Sequence, residues 1–100
     1  MVKRRTVWDD AAKMQFREII QYIKIDSLQN AEKVKREILQ SSRELAKYPE
    51  KFSPDKYKKR NYNLSYRAFE LHKIRISYKV EPDLISVVRC RHTKQKPLFY

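Results

Sequence analysis

The 100-residue sequence predicts an α+β fold of order β-α-α-β-β-β, with a helical hairpin packed on one face of a four-stranded antiparallel sheet. Apolar residues recur at helical spacing in the first half of the chain, and from Tyr66 onward they alternate with polar residues as on half-buried strands. Each predicted element has a single apolar face, so the helices and the sheet each need the other as a partner. We therefore expect one domain over residues 1–100, with a core that hides roughly two thirds of the unfolded chain's surface.

The first predicted strand, residues 2–8, leads into an acidic pair, Asp9 and Asp10. Either carboxylate can accept hydrogen bonds from the free N–H groups that begin a helix, and its charge suits that end of the helix. The predicted helix ends near Lys24. Its apolar stripe consists of Ala12, Phe16, Ile19, Ile20 and Ile23.

A second helix is predicted to begin after Asp26 and Ser27, which can cap it, and to stop at Pro49. Two helices joined by about three residues pack antiparallel. The predicted buried side of this second helix is formed by Leu28, Ala31, Val34, Ile38, Leu45 and Tyr48.

The second half of the chain supplies the predicted sheet. Residues 50–61 lack any period and form a basic loop, and strands follow over 66–72, 73–80 and 84–91. The last two strands are joined by Glu81-Pro82-Asp83, which is typical of a turn. Residues 92–100 form a basic and aromatic tail. On the strand 73–80, the face away from the helices is expected to be open and to present Lys73, Arg75, Ser77 and Lys79.

Composition excludes several classes of protein. No apolar run reaches about 18 residues, so we expect no membrane span, and charged residues follow the basic start where an export signal needs an apolar stretch. The single Cys90 cannot form an internal disulfide, which fits a reducing cytoplasm. Since the chain contains no glycine, it cannot form the glycine-rich loops that hold nucleotide phosphates. We expect neither a metal nor another cofactor.

Positive charge is concentrated in the second half of the chain. The formal net charge is +12, and residues 51–100 carry 13 basic and four acidic side chains against 11 and eight in residues 1–50. Cations neutralise phosphates and aromatic rings stack on unpaired bases, so this half predicts a polyanionic or acidic partner. The alternative is that lysines serve solubility and tyrosines complete the core. The candidate nucleic-acid-binding residues are Lys56, Lys58, Lys59, Arg60, Arg67 and Lys73.

Three further residues near the C-terminus could support chemistry. His92 could act as a general acid or base, and Arg91 beside it could stabilise a phosphate that gains negative charge. Together they would suit metal-independent RNA cleavage; the more ordinary interpretation of a lone histidine at a strand end is a surface or hydrogen-bonded residue. The Tyr100 phenol could reach a substrate on the sheet, or the terminal residue could be frayed. Cys90 is expected to be a buried, inert thiol.

Several segments, in this order, carry a resemblance to a known superfamily. They are Phe16-Arg17-Glu18-Ile19-Ile20-Gln21-Tyr22-Ile23, Tyr66-Arg67-Ala68-Phe69-Glu70-Leu71, Ile74-Arg75-Ile76-Ser77-Tyr78 and Val87-Val88-Arg89-Cys90-Arg91-His92-Thr93. The chain resembles, over nearly its whole length, the RelE/ParE superfamily of toxins from bacterial type II toxin–antitoxin, or plasmid stabilisation, modules. The resemblance implies a small basic toxin domain held inactive by a cognate antitoxin, which lays an amphipathic helix and an extended segment on it.

The superfamily has two branches, and the sequence has features of both. RelE-like members cut messenger RNA on the ribosome, whereas ParE-like members inhibit DNA gyrase and are not nucleases. The long helices resemble ParE, but Arg75 matches the arginine of the RelE-like strand, and Asp55 lies near the position of a catalytic Glu in some RelE-like enzymes.

We expect ribosome-dependent mRNA cleavage, and we retain gyrase inhibition through the helical hairpin or the tail as the alternative. A non-toxic RNA-binding module is the third possibility. The roles implied for cleavage are phosphate binding by Arg75 and Arg91, acid–base catalysis by His92 with help from Tyr100, and charge support from Lys58 and Lys59.

Overall fold

A computed structural model of the chain describes residues 4–96 and 98–100. It confirms the predicted order of elements. The elements are β1 (Arg5–Trp8), α1 (Asp10–Asp26), α2 (Leu28–Glu44), β2 (Tyr66–Leu71), β3 (Ile74–Val80) and β4 (Leu84–His92). The part of the first predicted strand that falls on residues 2 and 3 lies outside the described residues. No helix in the described ranges combines the length and apolarity needed to cross a membrane.

The four strands form one sheet of order β1-β4-β3-β2. Strands β2, β3 and β4 pair antiparallel, as expected, but β1 pairs parallel with β4, from Arg5 opposite Leu84 to Trp8 opposite Val87. The prediction of a wholly antiparallel sheet is therefore corrected for one pair. A hairpin turn joins strands that pair antiparallel. The chain between β1 and the other three strands instead runs through both helices, and a crossover of this length allows parallel pairing.

The helical hairpin turns on a single residue, Ser27, and not on the predicted three. The N–H of Ser27 donates to the carbonyl of Ile23 at the end of α1, and its hydroxyl accepts from the N–H of Asn30 at 3.1 Å at the start of α2. The backbone of Ser27 therefore ends the first helix, and its side chain caps the second, as a serine at an N-cap does.

One core lies between the helices and one face of the sheet. Of the predicted α1 stripe, Ala12, Phe16 and Ile20 are buried, and Ile19 and Ile23 pack against them. Two predicted core residues of the second helix, Leu28 and Tyr48, are instead exposed. Leu28 lies in the first turn of α2, and α2 ends at Glu44, well before Tyr48. The buried core comprises Ala12, Phe16, Ile20, Ala31, Val34, Ile38, Leu45, Phe69, Ile74, Ile76, Tyr78, Ile85, Val87 and Cys90.

An irregularity in β4 decides where its arginines lie. Ile85 and Val87 face the core, but the pairing shifts between Ser77 and Tyr78 of β3, so that Tyr78 pairs with Val87 and Ser77 pairs with Arg89. An extra residue in one strand reverses the alternation beyond it. Cys90 consequently faces the core, and the cross-strand pairing places Arg91 opposite Arg75 on the other face.

Candidate functional site

The sheet face away from the helices is covered by the chain itself. Segment 53–60 and the final residues 98–100 lie over it. As a result, only 9% of the surface of Arg75, 2% of that of Ser77 and 9% of that of Arg91 is exposed to solvent. The expectation of an open face is therefore wrong for the centre of the sheet. Lys73 does not belong to this face either, because it lies with His72 in the turn between β2 and β3, where both residues have positive φ.

Arg75 is the centre of the covered face. Its guanidinium donates through Nη2 to Asp55 Oδ1 and through Nη1 to Glu70 Oε2, both at 2.9 Å. The Asp55 side chain is fully buried, whereas that of Glu70 is half exposed. The ring of Tyr57 stacks on the guanidinium carbons of Arg75 and Arg91, at 4.9 and 5.0 Å from its centroid. The positive charge of Arg75 is thus already compensated within the chain.

Asp55 connects this ion pair to the C-terminus. Its Oδ1 also accepts from the N–H of Tyr57 at 3.1 Å, and its Oδ2 accepts from the hydroxyl of Tyr100 at 2.6 Å. Burial by itself would raise the pKa of Asp55, but the hydrogen bonds from Tyr100, Arg75 and Tyr57 outweigh it and lower the pKa below its ordinary value of 3.8. Asp55 is therefore ionised at neutral pH and acts as an acceptor.

The last residue of the chain is fixed to the sheet. The N–H of Tyr100 donates to the carbonyl of Tyr57 at 3.0 Å, and its carbonyl accepts from the N–H of Lys59 at 2.7 Å. Its ring covers the guanidinium of Arg89 at 4.7 Å. Burial, followed by the bond to Asp55, raises the pKa of Tyr100 above its ordinary value of 10.0. The predicted alternative of a frayed terminus is wrong.

The structure brings together three of the four predicted catalytic residues: Arg75, Arg91 and Tyr100 share the covered face. His92 belongs to the other side of β4, by the alternation of the strand. Its Nδ1 accepts from the N–H of Lys94 at 3.1 Å. Partial burial, then the charges of Lys94 and Lys73, lower the pKa of His92 below its ordinary value of 6.5, so the imidazole is neutral at pH 7.

The predicted nucleic-acid-binding residues divide into exposed and internal groups. Lys58 lies over the rings of Tyr66 and Tyr100, at 4.8 and 5.0 Å, and Arg67 donates to the carbonyl of Phe52 at 2.6 Å. These two side chains take part in holding segment 52–60 on the sheet. The exposed members are Lys56, Lys59, Arg60 and Lys73. Among residues 4–96 and 98–100, no group of three potential metal-ligating side chains occurs.

Cys90 is buried as expected, and burial raises its pKa to about 12. The central role of Asp55, whose position resembles that of a catalytic Glu in some RelE-like enzymes, was not predicted from the sequence. One signal was present: Asp55 is the single acid in residues 51–69, a stretch rich in lysine and arginine. An isolated acid in such a segment is a good candidate for the partner of a buried cation.

Stability is expected to depend on pH through Asp55. Because its pKa is lower in the folded chain than in the unfolded one, its contribution is present in full above the unfolded value near 3.8 and is lost as pH falls through the folded value. Denaturant unfolding between pH 7 and pH 2 checks this expectation. The Asp55→Asn variant should lack this component of the acid dependence, and an identical loss in both proteins would contradict it.

The geometry defines a class of protein first: a small basic α+β domain with a helical hairpin on one sheet face and a cation-rich second face. The family model described as "ParE toxin of type II toxin-antitoxin system, parDE" matches residues 6–97. The chain therefore belongs to the ParE toxin family, within the superfamily that the sequence resembles.

A solved structure of the chromosomal ParDE toxin–antitoxin system from P. aeruginosa is similar in fold. Its TM-score is 0.72 at 14% sequence identity, and the alignment covers 92% of this chain and 98% of that one. Comparison with curated proteins gives no match.

Proposed function

We propose that this chain is the toxin of a toxin–antitoxin pair and that it acts by binding and inhibiting DNA gyrase, without cutting RNA. Membership of the ParE family supports this alternative better than it supports the mRNA cleavage expected from the sequence. The observation that carries the proposal is the closed network of Asp55, Arg75 and Tyr100 on the covered sheet face.

Cleavage of a message on this face would require free groups at the scissile phosphate. Arg75 already binds two carboxylates, and the hydroxyl of Tyr100 donates to Asp55 with its pKa raised. A general acid works best with a pKa near the operating pH, which Tyr100 does not have. These contacts favour a structural role for the covered face. We therefore infer that the toxin contacts its target through other, exposed surfaces.

A groove beside β1 suits an acidic antitoxin segment. It has a volume of about 650 Å³ and includes the apolar side chains of Trp8, Phe16, Ile20 and Leu39. The charged residues that line it are all basic and exposed, namely Lys13, Arg17, Lys24 and Lys35. Next to it, β1 is an edge strand of the sheet, to which an extended segment can add. The cognate antitoxin is the partner whose chemistry this groove fits.

Reversing charge at this groove is expected to weaken antitoxin binding. Replacing Lys13 and Arg17 with Glu places two carboxylates against an acidic segment, which should raise Kd at least about tenfold, or roughly 1.4 kcal/mol. Isothermal titration calorimetry with the cognate antitoxin measures the change. The matched control, Lys33→Glu with Lys47→Glu, makes the same change in net charge on exposed residues outside the groove. Equal weakening by both variants would contradict the assignment.

Induction of the toxin in growing bacteria separates the two targets. Gyrase inhibition predicts that a DNA-damage reporter rises before amino-acid incorporation falls, whereas message cleavage predicts an immediate fall in incorporation. Coexpression of the antitoxin serves as the control and should suppress either response. An early stop in incorporation with a silent reporter would overturn the gyrase proposal.

A further inference from the structure

A second groove, which the proposed function does not use, lies between α1 and the C-terminal half of β4. Its volume is about 630 Å³. The basic residues that line it are Arg89, Arg91, His92, Lys94 and Lys96, and a single acid, Glu18, lies among its lining residues. Charge of one sign is therefore concentrated in one concave surface, which strengthens attraction for an anionic ligand.

Within the described residues, the cations of this groove lack acidic partners. In the part of the chain that the structure describes, the ion pairs are those of His72 with Glu37 and of Arg75 with Asp55 and Glu70. Lys94 and Lys96 are exposed. Partial burial is the main cause of the lowered pKa of His92, and the charges of Lys94 and Lys73 lower it further, as a positive potential does.

The arginines hold the wall of the groove in place. Arg91 donates to the carbonyls of His92 and Gln95, at 3.4 and 3.3 Å, and Arg89 donates to the carbonyl of Leu98. The ring of Tyr57 stacks on the guanidinium of Arg91, and the ring of Tyr100 stacks on that of Arg89. The main chain that carries Lys94 and Lys96 is thereby positioned before any ligand arrives, which reduces the entropy lost on binding.

The opposite wall offers an aromatic ring. Tyr22 of α1 lines the groove and is 73% exposed, although a tyrosine ring of this size is usually more buried. An exposed ring beside a row of cations matches the two components of a nucleic acid, because bases stack on aromatic rings and phosphates bind cations.

We propose that this groove binds the sugar-phosphate backbone of a nucleic acid, with Lys94 and Lys96 at the phosphates and Tyr22 available to a base. An acidic peptide fits less well, because the charged residues outnumber the apolar ones here, whereas the groove beside β1 combines its cations with an apolar floor. The proposal does not depend on the target of the toxin, and its test contains neither gyrase nor ribosomes.

The first test compares two variants of equal charge. Lys94→Gln with Lys96→Gln removes two groove cations, and Lys33→Gln with Lys47→Gln removes two exposed lysines elsewhere. Fluorescence anisotropy with a labelled DNA duplex and a labelled single strand measures Kd over a range of salt concentrations. For the single strand, whose unpaired bases can stack on Tyr22, the groove variant should bind about tenfold more weakly at low salt, and its salt slope should fall by about 1.4, since each phosphate contact contributes about 0.7. Equal weakening by both variants would mean diffuse attraction to a basic protein and would overturn the proposal.

The two histidines of the chain supply an independent readout. His92 lines the groove, whereas His72 pairs with Glu37 at 3.2 Å and does not line it. A bound phosphate should raise the pKa of His92, followed by NMR, and leave the ring signals of His72 in place at constant pH. An unmoved His92, or tighter binding of an acidic peptide of equal charge than of either nucleic acid, would overturn the proposal.

Discussion

Replacing Asp55 with Ala is expected to lower the free energy of unfolding by about 3–5 kcal/mol, because the guanidinium of Arg75 would remain buried without its one fully buried carboxylate partner. The substitution also removes the acceptor of the Tyr100 hydroxyl, so the end of the chain should loosen. Denaturant unfolding followed by circular dichroism gives the difference in free energy.

Glu70→Gln is the matched control, because it alters the second carboxylate on the same guanidinium. The Glu70 side chain is 50% exposed, so its loss is expected to cost less than about 1 kcal/mol. The double variant Asp55→Leu with Arg75→Met, which removes both buried charges, should regain part of the loss. If Asp55→Ala proved no more costly than Glu70→Gln, the network would not hold the face closed.

Tyr78→Ala is expected to cost about 3–5 kcal/mol, as for other large aromatic side chains removed from a core. Tyr78 is fully buried in β3, and its hydroxyl donates to the carbonyl of Pro49 at 2.9 Å, at the start of the segment that leads to Asp55. Burial raises the pKa of Tyr78 to about 12, so it remains a donor at neutral pH.

Tyr78→Phe separates packing from anchoring. It keeps the ring but leaves the Pro49 carbonyl without this donor, which is expected to cost about 1–2 kcal/mol. Thermal unfolding measures both variants, and amide hydrogen exchange should show faster opening of residues 50–60 in Tyr78→Phe than in the wild type. Unchanged exchange there would show that this hydroxyl does not anchor the segment.

The order of the elements could be predicted because it depends on local patterns. The stripe from Ala12 to Ile23 and the alternation after Tyr66 each record a single buried face, and both are confirmed. The end of α2 was harder to predict from the sequence, since no proline or glycine marks Glu44. There the N–H groups of Leu45 and Ala46 bond three residues back, which tightens the final turn before the helix ends.

The arrangement of the second sheet face could not be predicted from periodicity. Strict alternation from Ile85 and Val87 would send Arg89 and Arg91 into the core, and the irregularity that prevents this has no clear sequence signal. The cover over Arg75 depends on contacts between residues 20 and 45 positions apart, through Asp55 and Tyr100. Such contacts exist only once the sheet has formed.

The same arrangement changes how substitutions on the face should be interpreted. Replacing Arg75 with Ala would leave Asp55 and Glu70 without their cation, so a loss of toxicity could follow from unfolding alone. His92 and the exposed lysines of segment 56–60 are outside the Asp55–Arg75–Tyr100 network. Stability should therefore be measured for every variant before its toxicity is compared.

The most direct test of the account is to add the purified toxin to a gyrase supercoiling reaction and, in parallel, to a reconstituted translation reaction in which message 5′ ends are mapped. We predict blocked supercoiling, relieved by the cognate antitoxin, with the ribosome-bound message intact. New 5′ ends that require both the toxin and ribosomes, together with normal supercoiling, would contradict the account and return Arg75, Arg91, His92 and Tyr100 to a cleavage site.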